Sequence, residues 1–135
     1  MSWSDRYIGT PYAELGRSLH GCDCWGLACI VYRHELGITL PDYLGTYGSA
    51  EEHAEIDALI AGEETSPLWR SVARAEPFDI AVFRRGRLAT HVGIVVRFGL
   101  MLHMHDDDCA KLADYRGGAW GNRLKGAYRH RSMGA

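Results

Sequence analysis

The first third of the chain has the hydrophobic spacing of helices. Across residues 24–36, apolar side chains recur at intervals of three and four positions, which places them on one face of a helix. Asp23 stands where an N-cap is expected, and Gly37 stands where a helix commonly ends. A second apolar stripe, over residues 50–61, follows a capping-box pattern. The pattern therefore predicts two helices in the first half of the chain.

The second half of the chain changes to the shorter period of strands. Apolar and β-branched runs, separated by glycine-containing turns, occupy residues 80–83, 91–96, 100–105 and 124–130. Helices followed by an antiparallel meander are typical of the α+β class. We therefore predict an α+β domain with one helix packed on a small antiparallel sheet. No linker or repeat divides residues 1–135, so a single domain is expected.

Composition narrows the classes of partner. The chain is 47% hydrophobic and 24% charged, which fits a soluble globular protein and not a disordered one. Its formal net charge is −2 and it has no lysine or arginine run, so neither nucleic acid nor a membrane is an expected partner. Residues 1–7 do not have the pattern of a secretory signal, and no apolar run approaches the ~18 residues of a membrane span. We expect synthesis in the cytoplasm, so that action outside the cell requires a carrier.

One cysteine and two histidines are candidates for nucleophilic chemistry. Cys24 lies at the predicted start of the first helix, where unpaired N–H groups and the helix dipole lower the pKa of a thiol. His91 and His103 lie on consecutive predicted strands, so a hairpin can place one beside the other and fix the tautomer of His91. On these residues alone, a competing interpretation remains, in which Cys24 is a core residue and both histidines are structural.

A metal site is a second interpretation of the same residues. The ligands would be His20, Cys22 and Cys24, or His103 and His105 with the aspartates at 106–108. A spacing of two residues suits a tetrahedral site on a loop poorly, and the chain has no second C-x-x-C pair. We therefore predict no metal and no other cofactor.

Several segments, taken together and in this order, resemble the signature of the NlpC-type cell-wall peptidases. That signature contains a G-x-P-Y stretch, a D-C-S-G-L block with the nucleophile, an H-V-G-I strand with the catalytic histidine, and a following strand with a third polar residue. The matching segments are Gly9-Thr10-Pro11-Tyr12, Gly21-Cys22-Asp23-Cys24-Trp25-Gly26-Leu27, Asp79-Ile80-Ala81-Val82-Phe83, His91-Val92-Gly93-Ile94 and Leu102-His103.

The resemblance implies a papain-like fold and assigns catalytic roles to four residues. Cys24 is the implied nucleophile, His91 its base and His103 the third polar residue, with His105 as the alternative if the strand register differs by two. Tyr12 would lend its hydroxyl beside the nucleophile, although a packed aromatic residue is the competing interpretation.

The implied substrate is the stem peptide of peptidoglycan. The bond would be the amide between the γ-carboxyl group of D-glutamate and a diamino acid, cut by acyl transfer to Cys24. Two alternatives stay open, namely a structural protein with the same fold and little activity, and a related amidase or acyltransferase.

The chain departs from the family pattern in three places. Trp25 replaces the family serine, Phe78 replaces the glycine of a Gly-Asp pair, and residues 38–75 form an insertion. The D-C-W-G-L form and the ending at residues 120–129 resemble the phage-tail and gene-transfer-agent peptidases. The resemblance implies a tail-tip component bound to a hub or fibre protein. Tyr43, Tyr47 and Trp69 of the insertion would be an exposed docking surface, and a lid or a flap packed on the core over the first helix is the competing interpretation.

Overall fold

A computed structural model describes most of the chain outside the middle third. The described residues are 3–13, 16–40, 69–85, 88–104 and 108–133. The predicted helix over residues 50–61, most of the predicted insertion and His105 lie outside these ranges. Among the described residues, no helix is long and apolar enough to cross a membrane.

The first predicted helix is confirmed, and its ends follow from two residues. Helix α1 spans Cys24–Val31 and continues as a π-helical turn over Tyr32–Leu36. Asp23 is extended, with φ −91° and ψ −172°, and its side chain accepts the backbone N–H of Gly26 as an N-cap. Gly37 ends the element in the left-handed region, with φ 68°.

The described residues contain eight strands: β1 (Arg17–Ser18), β2 (Gly21–Cys22), β3 (Trp69–Val72), β4 (Ile80–Arg85), β5 (Leu88–Arg97), β6 (Leu100–Met104), β7 (Ala110–Asp114) and β8 (Leu124–His130). β1 and β2 form a hairpin before α1, and the other six form one antiparallel sheet. Strands β4 to β7 follow each other as a meander, while β8 returns and inserts between β3 and β4, giving the order β3-β8-β4-β5-β6-β7. The predicted α+β class, with a helix on an antiparallel sheet, is confirmed.

The two faces of the sheet have separate cores because side chains alternate along each strand. Val92, Ile94 and Leu102 pack with α1 in the larger cluster. Phe83 and Met101 belong to a smaller cluster on the other face. His91 and His103 alternate with the residues of the larger cluster, so they lie on the smaller cluster's side of β5 and β6.

The end of the predicted insertion belongs to the main sheet. β3 starts at Trp69 and pairs along its length with β8. Trp69 is 3% exposed and packs against the rings of Tyr32 and His130. The expectation that Trp69 forms part of an exposed docking surface is therefore wrong, because its indole fills the core beside α1. Tyr43 and Tyr47 lie outside the described residues.

The residue that replaces the family glycine adopts a backbone conformation that glycine favours. Phe78 has φ 73°, in the left-handed region, where a side chain with a Cβ is strained. Its ring stacks on Trp3 at 4.5 Å between centroids, and its carbonyl accepts a hydrogen bond from the Tyr32 hydroxyl. These contacts hold Phe78 in place at the start of β4.

Candidate active site

Cys24 occupies the first position of α1, where the helix meets strand β5. The side chain is half-buried, and its sulfur accepts hydrogen bonds from the backbone N–H groups of Val92 and Trp25. Val92 directly follows His91 along β5, so the sulfur contacts the backbone of β5 one residue from His91. The start of α1 thus meets the strand that carries His91, and the prediction that a His91 nitrogen faces Cys24 stays a prediction.

The direction of the Cys24 pKa corrects the expectation from helix position. Burial of the sulfur, with the neighbouring Asp23 carboxylate, raises the pKa of the Cys24 thiol to about 12. The N–H groups of Val92 and Trp25 and the charge of Arg17 act in the opposite direction but do not overcome burial. The prediction that the helix N-terminus lowers this pKa below its ordinary value is therefore wrong, and a thiol that is not paired with a cation is protonated at neutral pH.

The loop before Cys24 is held against the first turn of α1 by hydrogen bonds and by a close contact between two glycines. Arg17 Nη1 donates to Asp23 Oδ1 at 2.9 Å and to the carbonyl oxygen of Gly16 at 2.8 Å. Asp23 Oδ1 also accepts the N–H of Gly26 at 2.8 Å. A Cβ on Gly26 would overlap the Gly16 carbonyl oxygen, so this position requires glycine. The D-C-x-G spacing therefore locks the first turn of α1 onto the preceding hairpin.

The two histidines form the hydrogen-bonded pair that the strand pattern predicts. His91 Nε2 lies 2.9 Å from His103 Nδ1, and the rings are nearly perpendicular, at 89°. His103 is 1% exposed, whereas His91 is partly exposed. His91 therefore presents Nδ1 as the ring nitrogen that is not turned toward His103. Of the two candidates for the third polar residue, His103 contacts His91, and His105 lies outside the described residues.

A tryptophan that the sequence analysis did not place in the site packs on both histidines. Trp120 lies in the short helix α2 (Gly118–Gly121) and stacks on His91, with centroids 4.8 Å apart and planes 21° apart. Its ring meets His103 edge to face at 5.0 Å and 84°. The glycines flanking Trp120 signal a tight turn, but no local pattern indicates which strands that turn packs against.

Tyr12 lies beside the hairpin that leads to Cys24. Its backbone forms a bridge with Cys22, and its N–H donates to the carbonyl oxygen of Asp108 at 3.1 Å. The half-buried ring packs against the same cluster as Cys24. The catalytic role of Tyr12 stays a prediction.

The other cysteines occupy different environments. Cys22 is fully buried, and burial raises the pKa of its thiol to about 12. Cys29 and Cys109 are half-buried, and none of the four cysteines forms a disulfide. Within the described ranges, no group of three histidine, cysteine or acidic side chains is arranged to hold a metal ion.

Comparison with known proteins decides the family. The sequence model of the NlpC/P60 family matches residues 9–129. The chain belongs to the NlpC/P60 family. The match includes Tyr12, Cys24, His91 and His103, so every candidate catalytic residue lies inside the family domain.

Individual relatives agree with this membership. The chain is 28% identical over 124 residues to a protein of Listeria seeligeri named probable endopeptidase p60, a match that covers 91% of this chain and 20% of the relative. The chain therefore spans about a fifth of the length of that curated relative.

Solved structures of the family share the fold. The NlpC/p60 domain of the peptidoglycan hydrolase SagA superimposes with a TM-score of 0.65 at 20% identity, covering 93% of this chain and 92% of that domain. An NlpC/P60 family protein from Bacillus cereus gives a TM-score of 0.68 at 18% identity, covering 94% of this chain and 37% of that protein. A lipoprotein-like family member from Staphylococcus aureus gives 0.59 at 26% identity, covering 93% of this chain and 38% of that protein. The predicted papain-like NlpC fold is thus confirmed.

Proposed function

We propose that this chain is a cysteine endopeptidase that cleaves the stem peptide of peptidoglycan, with Cys24 as nucleophile and His91 as general base. The observation that carries the proposal is the pair His91 Nε2 and His103 Nδ1, 2.9 Å apart, on the strand whose Val92 N–H binds the Cys24 sulfur. In this proposal the nucleophile, the base and the group that orients the base come from α1, β5 and β6, with Cys24 held against β5 at Val92, the residue that follows His91.

The proposed mechanism gives each nitrogen of the histidine pair a task. With the proton of neutral His91 on Nε2, this N–H donates a hydrogen bond to His103 Nδ1, and Nδ1 of His91 accepts the proton of the Cys24 thiol. The Cys24 sulfur then bonds to the substrate carbonyl carbon. Nδ1 returns the proton to the leaving amine as the C–N bond breaks. Water hydrolyses the resulting thioester by the same route.

The raised pKa of Cys24 makes the base essential at the first step. A buried thiol with a pKa of about 12 is overwhelmingly protonated at pH 7, so the thiolate forms only as His91 accepts the proton. Negative charge that develops on the substrate oxygen would be stabilised by the backbone N–H of Cys24, at the start of α1. Tyr12 would contribute its hydroxyl beside the nucleophile.

The substrate assignment rests on the names of relatives and on the sequence motifs. The Listeria relative is named an endopeptidase, and the SagA domain comes from a peptidoglycan hydrolase. We propose the amide between the γ-carboxyl group of D-glutamate and the following diamino acid as the bond that is cut.

A digest of purified peptidoglycan tests the proposal. Mass spectrometry of the soluble products should show fragments that end at D-glutamate, and Cys24→Ala should release none of them. Fragments cut at another amide would replace the bond assignment. Absence of any product from the folded wild-type protein, across cell walls with different diamino acids, would favour the structural alternative.

We further propose that the chain is made in the cytoplasm and acts as a component of a phage-like tail tip, bound to a hub or fibre protein. The support is the likeness of the Asp23-Cys24-Trp25-Gly26-Leu27 block and of residues 120–129 to tail-associated peptidases. Proteomics of purified particles from the source cell should find the protein at low copy number. Intact particles without it, alongside abundant protein in the lysate, would contradict this placement and leave the peptidase chemistry unaffected.

A further inference from the structure

We infer that Trp120 is a positioning residue of the site, which fixes the ring plane of His91 and shields its hydrogen bond to His103 from water. The inference rests on the proposed role of His91 as the base of Cys24. It adds a residue to the site that the catalytic motifs of the chain do not contain.

A hydrogen bond at one ring nitrogen constrains the direction of that nitrogen more than the plane of the ring. The contact from His91 Nε2 to His103 Nδ1 is of this kind. The terminal torsion of histidine is broad, so the side chain itself does not choose the plane. Trp120, stacked at 4.8 Å and 21°, supplies a flat wall parallel to the imidazole. The stacked indole therefore keeps the plane of the His91 ring constant, and with it the direction in which Nδ1 points.

Trp120 also contacts both of the rings that form the hydrogen bond. The same indole meets His103 at 5.0 Å and 84°, so one side chain covers the donor ring and the acceptor ring together. Excluding water from a hydrogen bond strengthens it, because competing donors and acceptors are removed. The aromatic face also favours the imidazolium that forms when His91 accepts the thiol proton.

Trp120 is held in this position independently of the histidines. Gly118 adopts φ 60°, which allows the tight turn before it, and a Cβ on Gly121 would lie 2.8 Å from the Arg116 carbonyl oxygen. Phe83 packs against the indole edge to face, at 5.3 Å, and the guanidinium of Arg123 lies over the ring at 5.6 Å. The wall is thus preorganised, as a positioning residue requires.

The test compares variants of Trp120 with a matched tryptophan elsewhere. Trp120→Phe keeps a flat ring, whereas Trp120→Met keeps apolar volume without one. Trp69→Met is the control. Trp69 also packs on a histidine, His130, at 5.0 Å, but it lies on the edge strand β3, which β8 and β4 separate from β5.

The readout is the part of Cys24 alkylation by iodoacetamide that depends on His91, measured at pH 7 against His91→Ala. Trp120→Met should lose about tenfold of the rate, Trp120→Phe should stay within about threefold of wild type, and Trp69→Met should be unchanged. Turnover of a stem-peptide substrate should fall in kcat, with KM nearly constant, since Trp120 acts on the base and not on the substrate.

Nitrogen NMR of the His91 ring gives a second, substrate-free readout. Wild type should show one tautomer with the proton on Nε2, and Trp120→Met should show a mixture. If Trp120→Met fails to fold, Trp120→Leu takes its place in both measurements. A wild-type alkylation rate together with a single tautomer in the folded variant would overturn the inference. A missing product in the peptidoglycan digest, with the alkylation effect intact, would instead count against the proposed substrate alone.

Discussion

Both oxygens of the Asp79 carboxylate are bound by the guanidinium of Arg129, at 2.9 and 2.8 Å. Asp79 is fully buried at the start of β4, and its Oδ2 also accepts the N–H of Glu76 at 2.7 Å. Arg129 belongs to β8, so the pair joins the first central strand to the last strand of the chain. The hydrogen bonds that Arg129 donates to Asp79 raise the pKa of Arg129, which keeps the guanidinium charged.

This pair should dominate the effect of substitutions in β8. Arg129→Ala leaves a buried carboxylate without its cation, so we expect the free energy of unfolding to fall by about 3–5 kcal/mol. Lys111→Ala, which breaks the exposed pair with Asp108, should leave the free energy of unfolding nearly unchanged, because water screens the pair. Urea unfolding of both variants measures the difference. Equal losses would show that the Asp79 site is solvated.

At Phe78 we expect glycine to be more stabilising than alanine, the reverse of the usual order, because the backbone there has a positive φ. Phe78→Gly and Phe78→Ala both lose the stack on Trp3, but only glycine relieves φ 73°. The glycine variant should therefore be the more stable of the two, by about 1 kcal/mol. Thermal unfolding of the pair is the measurement. An alanine variant of equal or higher stability would mean that the loop relaxes to a negative φ.

The reactivity of Cys24 should depend on His91 because burial alone keeps the thiol protonated. At pH 7, His91→Ala should slow alkylation of Cys24 by at least about tenfold. In that variant the rate should rise about tenfold per pH unit above 7, since the raised pKa of about 12 leaves the thiolate a minor species throughout. Peptide mapping follows the reaction, with Cys109, half-buried and outside the site, as the internal control. An unchanged rate at Cys24 would remove His91 as its base.

The two histidines should differ in the size of their effect on turnover. His91→Ala should lower kcat/KM by about 10³-fold or more, because the variant lacks the base that takes the thiol proton in the proposed mechanism. His103→Asn, which retains a polar side chain in a buried position, should lower it by about 10- to 100-fold. Stem-peptide hydrolysis by folded variants gives both numbers. A larger effect of His103 than of His91 would reverse the assigned roles.

Local sequence signals predict the start of the fold and its central strands well. Asp23 and Gly37 bound the first helical segment as expected, because a cap and a left-handed stop act within one turn. The strands that carry His91 and His103 follow from alternation and from a turn at Gly99. The motif spacing then brings the two histidines together. Each of these signals depends on residues that are close to one another along the chain.

Features that depend on distant packing escaped the sequence analysis. Strand β7 is mostly exposed, with one buried residue at Ala110, so it lacks a strong alternating pattern. Trp120 reaches the histidines only through a glycine-rich turn. The sign of the Cys24 pKa shift depends on how much protein surrounds the sulfur, which a helix position does not reveal.

The insertion of β8 between β3 and β4 sets the order of events during synthesis. A nascent chain that ends before Leu124 has both neighbouring strand edges open and Asp79 without its guanidinium. Trp120 likewise precedes β8 by only a few residues, so the wall over His91 is placed when that strand docks. The histidine site is therefore completed only after β8 has been synthesised and has docked between β3 and β4.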